Sequence, residues 1–188
     1  MTGLTRRRLT GAFLIALGLS AATSVAAPDT AALARQLASH SPECSQFRQS
    51  RWLADFEIDI ESTGTFKRTE DGIIWRTETP VATEIRLSAD NPDLPPGFHL
   101  LLPVMTALLG GDWERLDEHF QIDVSGELAA WSAEITPLDG RVAAQLPLLR
   151  VAGGQLLENI EMIFADGDRL SLNLTAAECT PDMVPQTP

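Results

Sequence analysis

The stretch Asp55-Phe56-Glu57-Ile58-Asp59-Ile60-Glu61 places an apolar residue at every second position and an acid at each position between. A period of two belongs to a β-strand that is buried on one face and wet on the other. A helix would scatter the same acids around its whole circumference. The stretch therefore predicts a strand with Phe56, Ile58 and Ile60 turned inward.

The same grammar continues outward. Asp71-Gly72 separates Gly64-Thr65-Phe66-Lys67-Arg68 from Ile73-Ile74-Trp75-Arg76-Thr77, as the Asp-Gly preference of tight hairpins predicts. Pro80 leads into Val81-Ala82-Thr83-Glu84-Ile85-Arg86-Leu87, which alternates again. Further on, Phe120, Ile122 and Val124 share one parity, as do Trp131, Ala133 and Ile135, then Ile160, Met162 and Phe164, then Leu170, Leu172 and Leu174. Asp139-Gly140, Gly153-Gly154 and Asp166-Gly167 supply further turn signals. Roughly seven or eight strands joined by short turns predict an antiparallel meander with one apolar face.

Three short helices supplement the strands. Asp29-Thr30 caps Ala31–Ala38, with Leu33 and Leu37 on one face. Phe98–Leu109 is apolar almost throughout, with Pro103 assigned to its first turn and Gly110-Gly111 to its end. Asp112 caps a third helix over Trp113–Phe120. Between them, Pro92-Asp93-Leu94-Pro95-Pro96-Gly97 reads as loop.

The chain has 188 residues, 26 acidic and 14 basic, for a formal charge of -12. Arg6, Arg7 and Arg8, the apolar run Gly11–Leu19 and the small residues ending Ser24-Val25-Ala26 have the layout of a signal peptide over residues 1–26. The apolar run falls short of the ~20 residues a membrane span needs. General secretion is the favoured export route, although Thr5-Arg6-Arg7-Arg8-Leu9 also fits a twin-arginine pattern. Removing the leader takes away only basic charge and leaves 26 acids against 11 bases, or -15. Such a charge repels nucleic-acid phosphates and anionic lipid headgroups. The 44% hydrophobic content is too high for acidic disorder. The reading is one exported domain over 27–179 and a proline-rich extended tail over 180–188, with the periplasm as destination.

Cys44 and Cys179 are the only cysteines, one near each end of the domain, and in an oxidising compartment they predict one disulfide. Two cysteines so far apart lack the paired spacing of a zinc site, so no metal is expected. The catalytic inventory is thin. The three histidines, His40, His99 and His119, sit in no nucleophile, zinc or phosphate-binding motif. The acid pairs Glu57/Asp59 and Asp59/Glu61 read as a solvated face rather than a general acid and base pair. Asp166-Gly167-Asp168 lacks the remaining ligands of a calcium loop, and Asn173-Leu174-Thr175 falls mid-strand for a glycosylation acceptor. Neither an enzyme nor a cofactor is predicted. What stands out is apolar surplus: a one-sided sheet needs a cover, and the space under it is by default filled core.

Phe47-x-Gln49, Gly64-x-Phe66, Gly72-x-x-Trp75 and Pro80, in that order, followed by Gly110-Gly111-Asp112-Trp113-Glu114-Arg115-Leu116 and closing hairpins to Leu174, resemble the LolA-type outer-membrane lipoprotein carrier proteins. The resemblance implies a half-open β-barrel, a curved antiparallel sheet around a hydrophobic cavity with a helical lid. It implies a carrier that takes acylated lipoprotein, or another lipid-like cargo, from an inner-membrane release complex to an outer-membrane acceptor. Three departures set this chain apart. A proline-rich segment lies between Leu87 and Pro103 where the family has an aromatic-rich strand pair; Lys67 and Arg68 are near the family's basic residue but out of register; and the Cys44/Cys179 pair suits a divergent branch.

The inner-face residues expected to line the lipid cavity are Phe56, Ile58, Ile60 and Phe66 from the first long strand, Ile73 and Trp75 from the next, and Val81, Ile85 and Leu87 from the third. Leu101, Val104, Met105 and Leu108 are expected to form the lid. The protein is expected to be a monomer. The rival reading is a periplasmic binding or sensor module of the same fold that transports nothing and meets a protein partner through its acidic face.

Overall fold

In a computed structural model the chain reverses inside the stretch that decides its fold. The structure describes residues 28–94 and 98–179, without the side chains of residues 98–101 and 114. The expected leader, the tail over 180–188 and part of the proline-rich loop lie outside the described residues. Residues 54–57 form a turn between β1 (Cys44–Leu53) and β2 (Ile58–Thr69). Phe56 N–H donates to the Leu53 carbonyl and Glu57 N–H to the Ala54 carbonyl, each over 3.3 Å. The reading of 55–61 as one strand is thus corrected. Leu53 stands opposite Ile58, so the inward parity changes from odd in β1 to even in β2, and Phe56 in the turn already carries the even parity of Ile58 and Ile60, which hides the reversal from the sequence pattern.

β3 (Gly72–Thr79) pairs with β2 across the Glu70-Asp71 turn, and β4 (Thr83–Leu87) pairs with β3. β4 starts two residues later than expected and leaves Val81 in the turn after Pro80. The second half of the sheet is β5 (Phe120–Glu127), β6 (Ala130–Pro137), β7 (Leu148–Gly153), β8 (Leu157–Ile163) and β9 (Arg169–Ala177). These nine strands of the described residues form one antiparallel sheet in the order β4-β3-β2-β1-β9-β8-β7-β6-β5. It is curved but not closed. The two meanders join where β1 meets β9, with Phe47 opposite Leu174. The Cys44–Cys179 disulfide sits at that seam, with Cα atoms 5.3 Å apart.

Among the described residues, four helices accompany the sheet. α1 (Thr30–His40) carries its N-cap on Asp29, whose carboxylate accepts from Ala32 N–H, and buries Leu33, Ala34 and Leu37. α2 (Phe98–Gly110) begins earlier relative to its proline than expected, so Pro103 lies inside the helix rather than in its first turn. The missing N–H removes one internal bond, and the burial of Val104, Met105, Ala107 and Leu108 offsets that loss. It ends in a Schellman motif: Gly111 takes φ +76°, and Asp112 N–H donates to the Ala107 carbonyl over 2.9 Å. The expected third helix shrinks to α3 (Glu114–Asp117), because Phe120 is drawn into β5 opposite Pro137. Asp139-Gly140 opens a single turn, α4 (Gly140–Ala143), with the Asp139 carboxylate accepting from Arg141 N–H over 2.7 Å. No helix among the described residues is long and apolar enough to cross a membrane.

The core lies on one face of the sheet. Its inward rows include Leu87 and Ile73, Trp75 and Phe66, Phe47 and Leu174, Leu172 and Ile160, and Val151 and Ala133, each pair adjacent across a ladder. The helices fill the concave side with Leu33, Leu37, Val104, Met105, Leu108 and Leu116, all buried.

Candidate functional site

The site is built where the helices meet the sheet. On the sheet side, Phe47, Phe66 and Trp75 stack into one aromatic wedge, with centroids 4.7 Å apart for Phe47–Phe66 and 4.9 Å for Phe66–Trp75. Gly64 makes the wedge possible. A Cβ there would clash with the Arg76 carbonyl oxygen and lie 2.8 Å from Phe47 Cζ. Trp113 packs edge-on to Trp131 at 5.4 Å, and Trp131 Nε1 donates to the Gly154 carbonyl over 2.8 Å.

α2 lies in the mouth of this curve and turns Val104, Met105 and Leu108 into it, each essentially without solvent contact. The interior is therefore filled by the helix in this state. Polar side chains hold the helical cover at its edges. Gln36 Nε2 donates to the Leu128 carbonyl over 2.9 Å and the Gly154 carbonyl over 2.7 Å, tying α1 to the β5–β6 and β7–β8 turns. Arg68 faces inward two residues beyond Phe66, and its guanidinium forks to the Gly110 and Ser41 carbonyls, 3.2 Å each. One cation thus ties the C-terminal ends of α1 and α2, where carbonyls lack intrahelical partners and the helix dipoles are negative. Gly111 lets those ends approach, since a Cβ there would come within 2.5 Å of Ser41 Oγ.

Between the cover and the β8–β9 ladder runs an open groove of about 400 Å³. Leu37, Pro42, Leu108, Leu109, Leu157 and Leu174 form its apolar floor, and Ser45, Asn159, Asn173 and Thr175 its polar margin. Its volume falls within the ~300–1,000 Å³ usual for small-ligand pockets. A larger hollow of about 500 Å³ lies on the outer face of the sheet, crossed by Arg150, which donates to Glu134 over 3.0 Å and Glu161 over 3.4 Å. Those carboxylates push the Arg150 pKa up. Asp123, Glu134, Arg150 and Glu161 stand among the residues lining that hollow, and no described residue of a helix does, so the groove, which borders the helical cover, is the better candidate.

Among the described residues lining the groove, Glu158 is the one carboxylate, and no histidine or cysteine stands beside it. No acid–base pair is assembled there. The Arg141 guanidinium keeps the Asp139 carboxyl below the usual carboxylate range, but that pair is exposed and remote. Glu43, Cys44 and Cys179 bring donor atoms within 4.8 Å of one another, yet both sulfurs are consumed in the disulfide.

The structure brings together Phe66, Ile73, Trp75, Leu87, Val104, Met105 and Leu108 in the interior, with Ile85 half-buried against it. The side chain of Leu101 lies outside the described residues. Phe56, Ile58, Ile60 and Val81 are corrected in place. They are 72%, 47%, 40% and 67% exposed and stand outside the buried cluster, with Phe56 and Val81 in turns. Sequence reasoning missed Phe47 and Arg68 as parts of the site. The available signal for Arg68 was its inward parity, shared with Phe66, which is costly for a cation without partners.

A family model described as outer membrane lipoprotein carrier protein LolA-like matches residues 61–184. A crystal structure of a LolA superfamily protein from Nitrosomonas europaea is similar to this chain at 10% identity, covering 83% of this chain and 96% of the other, with a TM-score of 0.36. So low a score gives that likeness no bearing on function. No curated protein matches the chain.

Proposed function

Because the chain belongs to the LolA-like family of outer membrane lipoprotein carrier proteins, we propose that it shields the acyl chains of a lipoprotein or another lipid-like cargo and carries them between the inner and outer membranes. The family is a periplasmic binding and carrier family. One observation carries the reading: the apolar face of the sheet is covered by α2, whose end Arg68 holds, with an apolar groove at its edge.

Energetics favour exchange of this cover for cargo. Burying Val104, Met105 and Leu108 contributes about 1.5–3 kcal/mol each. Withdrawing the three costs about 4.5–9 kcal/mol, and an acyl chain returns about 0.8 kcal/mol per methylene. Some six to eleven buried methylenes offset the helix, so loading and release stay close to balance without covalent chemistry. The acidic outer face, -15 for the chain without its leader, keeps such a carrier from settling on anionic membranes.

Native mass spectrometry of protein purified without detergent, together with titration of an environment-sensitive fatty-acid probe, tests the reading. A co-purifying lipid or acylated peptide and saturable probe binding, lost when the groove is narrowed by Leu157→Trp, are expected. Repeated absence of cargo together with absence of probe binding refutes the carrier and leaves the rival, a module that works through a protein partner alone.

A further inference from the structure

β2 is longer than the strand beside it. β1 pairs with β2 from Cys44↔Lys67 to Leu53↔Ile58, whereas β3 reaches only Thr63. After the irregularity at Thr63/Gly64, β3 stops at Thr79, and Pro80, which has no N–H, leads its chain into a turn. Among the described residues, Ile58–Ser62 therefore has a paired edge toward β1 and an open one on the other side. Such an edge presents unpaired backbone N–H and C=O groups and is a template for another strand.

The side chains on this edge are patterned. Ile58 and Ile60, both exposed, point to one face, and Asp59 and Glu61 to the other. Phe56 stands exposed at the adjoining turn, beside Asp55 and Glu57. Residues 55–61 hold four acids and no base. The partners they do have are slight. Glu61 meets Arg48 only at 3.9 Å with both side chains largely exposed, and Asp59 accepts from Ser50 Oγ at 2.6 Å. Glu57 holds φ +52°, a conformation that Gly or Asn adopts at lower cost, so an acid is kept at a position where local geometry disfavours it.

We propose that the open edge Ile58–Ser62 is a strand-addition site for an extended segment of a partner protein in which apolar residues alternate with Lys or Arg. The backbone edge supplies the hydrogen bonds, Ile58 and Ile60 take the apolar residues, and Asp59 and Glu61 take the cations across the new ladder. A second copy of this chain does not fit: pairing the edge with itself sets acids against acids. An anionic bilayer is repelled by the same charges. The inference stands on edge geometry and charge and does not require bound lipid.

The test uses the full mature, oxidised protein, amide NMR and the blocked hexapeptide Lys-Val-Lys-Val-Lys-Val as probe. Saturable shifts confined to residues 55–63 and 79–81 are expected, with binding weakened about tenfold or more by Asp59→Lys with Glu61→Lys. That double variant should instead bind the Glu-Val counterpart. A proline at the centre of the probe should abolish binding, because strand addition needs its N–H groups. Ile58→Ser with Ile60→Ser should weaken binding while leaving near-UV circular dichroism and fatty-acid probe binding unchanged, which separates this site from the groove. The proposal is overturned if no saturable binding occurs, if shifts spread over the acidic outer face, if the proline probe binds equally, or if phosphatidylglycerol or phosphatidylcholine vesicles shift these resonances more than the peptide does.

Discussion

Replacing Arg68 by methionine keeps the apolar stem and removes the fork that holds α1 and α2. Two hydrogen bonds of 3.2 Å disappear, and two carbonyl ends lose their cation. A bond from a charged donor contributes about 1.5–3 kcal/mol when well shielded. Here both bonds are long and the side chain is only half-buried, so the pair together is set at about 1.5–3 kcal/mol. With about 1.4 kcal/mol per tenfold, opening of α2 becomes about 10- to 150-fold more frequent. Native-state hydrogen exchange reads this directly. Amides over 104–110 should lose protection by that factor, while amides of β6 to β8 change by less than about twofold. In the same variant, the fatty-acid probe should bind more tightly in apparent Kd, because a larger fraction of molecules is open to it. Arg68→Lys should recover only part of the effect, since an ammonium lacks the planar fork. Unchanged exchange in α2 would refute the latch. Equal acceleration everywhere would assign Arg68 to global stability instead.

Four further outcomes follow from burial and backbone geometry. Leu108→Ala should lower stability by about 2–5 kcal/mol in urea unfolding, as for a fully buried leucine, whereas Phe56→Ser should change it by less than about 0.5 kcal/mol, because Phe56 is 72% exposed. Gly111→Ala should destabilise by more than about 1 kcal/mol, given φ +76° and the 2.5 Å approach to Ser41 Oγ, while Gly110→Ala, with nothing within 4 Å of its Cβ, should be neutral or mildly stabilising in a thermal melt. Reducing Cys44–Cys179, with 135 residues of separation, should cost about 5 kcal/mol in the chain-entropy model, read from denaturation with and without reductant. Glu57→Gly should raise the melting temperature by relieving the positive φ, and a fall would show that the Glu57 side chain contributes to the turn.

Much of the sheet was legible because burial on one face imposes a period of two that local sequence must carry. Ile73 and Trp75, Trp131 to Ile135, and Leu170 to Leu174 each announce an inward row, and the rows fall where the pattern puts them. The β1–β2 reversal was not legible, because Phe56 in the turn keeps the even parity of Ile58 and Ile60, and the acids at Asp55 and Glu57 suit a turn as well as an outer face. Trp113–Phe120 misled for a related reason: helical spacing and strand parity overlap at Phe120, and pairing with Pro137 decided between them.

By itself the sequence determined the one-sided antiparallel sheet, the apolar helix closed by Gly110-Gly111, the candidate cysteine pair and the strong acidity, since each follows from residue type and local spacing. Tertiary structure alone decided which inward positions are covered. Phe66 and Ile60 share one parity on β2, yet one is buried in the aromatic wedge and the other is 40% exposed, because cover depends on what packs over each position in space. It also decided that Arg68 joins the ends of α1 and α2, through two carbonyls that lie 27 and 42 residues away.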